Sequence, residues 1–137
     1  QVSILRAESP RPMAVSSRIG VHFPLIEGSV GAALLADASG EEIRELAGSC
    51  SEPVVERNHA ELVLAGVESI RRRGYCFNAG KNRWRVDALS VPVRDVAGQV
   101  IAALTLLGSD ADFTGACEQE LAAAVRRAAE ECAKLCG

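Results

Sequence analysis

Arg73-Gly-Tyr-Cys-Phe-Asn78, a polar loop, and then Val86-Asp-Ala-Leu-Ser-Val-Pro-Val-Arg-Asp-Val-Ala-Gly-Gln-Val-Ile-Ala-Ala-Leu-Thr-Leu-Leu-Gly108 form the stretch whose reading decides the fold. Tyr75 to Asn78, Val86 to Arg94 and Gln99 to Leu107 are rich in aromatic and aliphatic residues and read as strands. The last two are joined by a hairpin loop that reaches Gly98, where a positive φ is needed. Alternation places Ala88, Ser90 and Pro92 on one face, and Leu89, Val91 and Val93 on the other. Pro92 has no N–H for a ladder, so it marks a strand end or an edge.

Working outward, Asn58 and Glu61 have the spacing of a capping box at the head of a helix. Ala60, Val63, Leu64, Val67 and Ile70 share one face of that helix, opposite Glu61, Glu68 and Arg72. Arg71 to Arg73 meet the negative end of its dipole and read as a solvated helix end, with Gly74 as the left-handed exit. Ser39 and Glu42 repeat the capping signature for a second helix. Gly28 to Ala36 is a helix of small residues, able to pack close to a sheet. Val2 to Glu8 and Met13 to Ile19 read as strands around the turn Ser9 to Pro12. The closing helix begins near Thr114, with Cys117, Leu121, Val125, Ala128, Cys132 and Leu135 as its apolar stripe. Strands joined by hairpins imply an antiparallel sheet with helices packed against it, an α+β domain.

The 137 residues are one domain's worth, and 48% apolar content suits a packed core. No apolar run approaches the roughly 18 to 20 residues of a membrane span, and no signal peptide is visible. The absent initiator Met suggests a piece of a longer protein. A net charge of −3 argues against a duplex-DNA reader, whose affinity comes from neutralising phosphates. Five cysteines, an odd number, are expected to be reduced in the cytoplasm. Cys132 and Cys136 stand one helical turn apart, yet no further ligand pattern follows, so core packing is preferred to a metal site. His22 and His59 lie in no recognisable nucleophile motif. Gly28-Ser-Val-Gly31 lacks the Lys of a phosphate loop, but its helix-start amides suit a carboxylate. Nothing here calls for a cofactor.

Several motifs, taken in order, resemble the effector-binding domain of the IclR family of bacterial transcriptional regulators. These are Gly20, Phe23-Pro-Leu25, Gly28-Ser-Val, Gly31-Ala-Ala-Leu-Leu-Ala36, Arg73-Gly-Tyr75, Pro92-Val93 and Asp95 to Gly98. The resemblance covers nearly the whole chain. It implies a GAF-like antiparallel sheet with helices on its faces, residues 1–137 as a single effector-binding domain, and a homodimer or homotetramer. DNA is expected to be bound only through an N-terminal winged helix-turn-helix domain that this chain lacks.

The resemblance also implies a ligand site at Ser29, Val30, Asn78, Val86, Ala88, Thr105 and Leu107. Asn78 stands where an acid is common, Ala88 where Cys or Ser is frequent, and Leu107 where Ser is common. Arg85 stands where Gly is usual, and Ala32 replaces a helical Lys. The pocket is therefore expected to be less polar than one for keto acids. It should hold a small organic acid with an aromatic or branched body, its carboxylate near Ser29. The alternatives are a GAF-like redox sensor or enzyme using Cys76, an oligomerisation module without a ligand, and a collapsed pocket whose positions simply fill the core.

Overall fold

The computed structural model describes residues 1–11, 14–50, 59–80, 85–114 and 116–136. A three-stranded antiparallel sheet of β1 (Cys76–Asn78), β2 (Asp87–Arg94) and β3 (Val100–Gly108), in that spatial order, organises the chain. The boundaries follow the sequence expectation to within a residue. At the hairpin the Asp95 carboxylate accepts the N–H groups of Ala97 and Gln99, each at 2.9 Å, and Gly98 takes φ +82°. The β1 pairs end at Ser90, so Pro92 pairs with Ala103 of β3 and needs no donor on the β1 side.

Alternation along β2 divides two cores. Leu89, Val91 and Val93 face α4 (Ala116–Leu135) together with Tyr75 and Phe113. The opposite face meets α1 (Gly28–Leu34), with α3 (His59–Arg73) packed behind it through Val63, Val67 and Ile70. Gly66 permits that close approach: a β-carbon there would lie 2.7 Å from the Ala32 Cβ and 2.9 Å from the Cys76 sulfur. The helix α2 (Gly40–Ser49) starts as its signature predicts, with Ser39 and Glu42 exchanging both bonds of a capping box. Gly74 exits α3 at φ +81°. Asn58, the corresponding cap of α3, lies outside the described residues.

Three expectations need correction. The described residues of Val2 to Glu8 and Met13 to Ile19 form no strand; Met13 itself is outside them. Only an isolated antiparallel bridge joins Val2 to His22, with Gly20 N–H donating to the Ser3 carbonyl at 2.8 Å. Strand propensity expresses packing against a neighbour, and Leu5, 82% exposed, has none there. In α4 the deepest residues are Ala122 and Ala129, flanked by Leu121, Val125 and Cys132, whereas Ala128 and Leu135 are exposed. Small side chains seven residues apart let that helix lie close to the sheet, which rotates Ala128 outward.

The arginine run is not merely solvated. Arg71 donates to the carbonyls of Ala36 (3.2 Å) and Ala38 (3.0 Å). Arg73 covers the Tyr75 ring at 4.5 Å and donates to its hydroxyl, which in turn donates to Glu118 at 2.9 Å.

Arg85 is the one described non-glycine residue with a positive φ, +54°. A β-carbon is strained in that region. Arg85→Gly is therefore expected to stabilise the fold by about 0.5–1 kcal/mol, measured by urea unfolding, despite the added freedom of the unfolded chain. A loss of stability would show that the Arg85 side chain contributes more than its backbone costs.

Candidate functional site

The α1-facing side of the sheet carries the chemistry. Ser90, at the middle of β2, stands in register with Cys76 of β1 and Thr105 of β3. One pair further along, Ala88 stands between Asn78 and Leu107. Ser29 comes down from the first turn of α1, and the Ser90 hydroxyl donates to it at 2.8 Å. Ser90 and Thr105 lie 2.9 Å apart, oxygen to oxygen. A serine has one proton, so when Ser90 donates to Ser29 it accepts from Thr105. The result is an ordered chain from Thr105 through Ser90 to Ser29, on the face that also carries Asn78, Ala88 and Leu107.

Ser29 is 3% exposed and Ser90 fully buried, while Thr105 is half-buried. Asn78 ends β1 beside the start of α1, its amide nitrogen 3.9 Å from where a Gly28 β-carbon would stand. Ala88 is buried and Leu107 half-buried, both on this face. Val30 follows Ser29 on α1 and Val86 precedes β2; both are half-buried and neither adds a side-chain hydrogen-bonding group. The structure thus gathers Ser29, Asn78, Ala88, Thr105 and Leu107 on one layer, with Val30 and Val86 adjoining it in the chain. The sequence points to the backbone amides of Ser29 and Val30 and to the Thr105 hydroxyl; it passes over both the Ser29 side chain and Ser90, which joins that side chain to Thr105. The signal was present, because alternation already put Ser90 on the face of Ala88. At seven residues α1 has only a modest dipole.

Burial pushes the Cys76 thiol up to about 11, against a smaller opposing pull from Arg73. With Cys76 only 7% exposed, it is a protonated packing residue at neutral pH. Iodoacetamide at pH 7.5 should therefore leave Cys76 unmodified in the folded chain while labelling exposed Cys136, read by peptide mass spectrometry. Rapid modification of Cys76 would favour the redox alternative. Asp87, buried at the start of β2, has its carboxyl raised by burial and by neighbouring Asp110, with the Gly80 N–H acting in the opposite direction. It alternates with Ala88 and so belongs to the other face. Among the described residues, no three His, Cys, Asp or Glu side chains are placed to hold a metal ion, and no helix is long and apolar enough to cross a membrane.

The family described as bacterial transcriptional regulator IclR C-terminal matches residues 1–134. No curated protein sequence matches the chain. Among solved structures, an IclR-family transcriptional regulator from Rhodococcus sp. is similar at TM-score 0.79 and 30% identity, over 98% of this chain and 51% of its own. A regulator from Alicyclobacillus acidocaldarius is similar at TM-score 0.79 and 20% identity, over 99% of this chain and 56% of its own. The inducer-binding domain of PobR from Acinetobacter, a double mutant in complex with 3-hydroxybenzoic acid, is similar at TM-score 0.68 and 21% identity. That match covers 88% of this chain and 73% of the PobR domain. The chain spans about half the length of the first two.

Proposed function

Because the chain belongs to the IclR family of bacterial transcriptional regulators, matching its C-terminal part, we propose that it is the effector-binding domain of such a regulator. The observation that carries this reading is the Ser29–Ser90–Thr105 hydroxyl chain set between α1 and the sheet. Few polar groups amid apolar walls orient a small organic ligand. A carboxylate placed at Ser29 receives that hydroxyl, whose own proton is not needed by Ser90. Asn78 and Thr105 supply the remaining polar contacts, while Val30, Val86, Ala88 and Leu107 take an aromatic or branched body. The PobR neighbour, which holds a hydroxybenzoate, supports this ligand class.

The domain is not an enzyme in this reading. It works in the cytoplasm as part of a homodimer or homotetramer, and exposed Ile4, Leu5 and Ile19 offer apolar area for a second copy. DNA is held by another domain of the parent protein, consistent with this chain's charge of −3. The effector alters DNA affinity only to the extent that it binds one conformational state better than the other.

Thermal-shift measurements with 3-hydroxybenzoate, branched-chain acids, pyruvate and glyoxylate test the proposal. Aromatic or branched acids at 100 times their Kd should stabilise the domain by about 2.7 kcal/mol. Stabilisation by pyruvate or glyoxylate alone would replace the apolar ligand class, and silence from every acid would favour the ligand-free oligomerisation module.

A further inference from the structure

We propose that Asp37 and Arg94 are positioning residues that set the register of α1 on β2, and hence the geometry of the hydroxyl chain. The consequence for ligand affinity rests on the effector reading; the register itself does not. Both terminal guanidinium nitrogens of Arg94 donate to the Asp37 carboxylate, Nη1 to Oδ2 at 2.7 Å and Nη2 to Oδ1 at 2.8 Å. Such a two-point fork fixes angle as well as distance. Arg94 Nη1 also donates to the Gly98 carbonyl at 2.7 Å, which ties the fork to the β2–β3 hairpin.

The face of α1 that meets the sheet explains why a directional tie is needed. Ala32 and Ala33 of α1, and Ala36 in the turn beyond it, are buried, and such small side chains leave few knobs to resist sliding of the helix over its neighbours. Hydrogen bonds at the two ends must then specify the register. At one end Ser29 meets Ser90; at the other Asp37 meets Arg94. Eight residues of mostly helical chain span about 12 Å and four residues of strand about 13 Å, so both ties close together only in one register. Arg71, reaching from α3 to the carbonyls of Ala36 and Ala38, holds the same end from the other side. Both fork partners are partly exposed, at 38% and 56% of their side chains, so the pair adds little global stability. Placement and stability are therefore separable by experiment.

The test uses the whole chain with Asp37→Ala, and Asp37→Glu as the variant that restores a carboxylate. In ligand-free protein, residue-resolved amide exchange of Gly31 to Leu35 should quicken about tenfold in Asp37→Ala relative to amides of α3 and α4. The Kd for 3-hydroxybenzoate should rise about fivefold or more, with Asp37→Glu recovering most of both effects. Exchange that quickens equally throughout the chain, or not at all, overturns the proposal, as does a loosened α1 with unchanged Kd. Where the unsubstituted chain binds no 3-hydroxybenzoate, the proposed ligand class fails, and the exchange comparison alone decides the register.

Discussion

Replacing Gly31 with alanine is expected to lower the melting temperature by about 10 °C, although alanine is the better helix former. A β-carbon at Gly31 would drive well inside van der Waals contact with the carbonyl oxygen of Leu25, a backbone atom that cannot rotate aside. The substitution gains about 1 kcal/mol of helix propensity but incurs an overpacking cost that exceeds it, for a net loss of about 2–3 kcal/mol. Because Ser29 rides on the same short helix, the displacement should also weaken binding of an aromatic acid. Gly48 provides the control: it lies within α2 with nothing within 4 Å of its added β-carbon, so Gly48→Ala should be neutral or mildly stabilising. Differential scanning calorimetry of the two variants reads the contrast directly. An unchanged or raised melting temperature for Gly31→Ala would mean that the Leu25–Ile26 turn yields freely.

Ser90→Ala should cost about 1–3 kcal/mol of stability and about tenfold in affinity for the aromatic acid. Ser90 is fully buried and bonded on both sides, so its removal leaves Ser29 and Thr105 facing a hole without their shared partner. Half-buried Thr105 can turn toward water, but Ser29, 3% exposed, cannot. Thr105→Val should therefore be the milder change in stability, leaving the Ser90–Ser29 bond in place. Isothermal titration with 3-hydroxybenzoate beside urea unfolding separates the two effects. Unchanged affinity in Ser90→Ala would mean that the hydroxyl chain only packs the layer, and unchanged affinity in Thr105→Val would remove Thr105 from the site.

The hairpin of β2 and β3, the cap at Ser39 and the exit at Gly74 were legible in the sequence because each is set by residues a few positions apart. Asp95 makes its own turn, Ser39 and Glu42 satisfy each other, and Gly74 supplies a backbone angle that other residues adopt at a cost. The same locality misled at the N-terminus. Val2 to Glu8 reads as a strand because the proline turn at Ser9 to Pro12 follows it, but a strand persists only where another layer covers it, and that cover is a property of the whole fold. In α4 the stripe was read correctly as a helix face, yet its rotation was decided by how closely Ala122 and Ala129 approach the sheet.

By itself the sequence determined the α+β class, the two faces of β2, and through its ordered motifs the family. Tertiary structure alone decided which face of β2 meets α1, since both faces are apolar enough to be buried. It also gave Ser90 its place between Ser29 and Thr105, turned Arg71 back onto Ala36 and Ala38, and joined Asp37 to Arg94. Ser29 and Ser90 are 61 positions apart in the chain, and Asp37 and Arg94 are 57. Nothing within the reach of one helical turn or one hairpin records such pairs. They are fixed by the packing of a helix of small residues onto a sheet, where a few directional bonds choose among registers that burial alone leaves nearly equal.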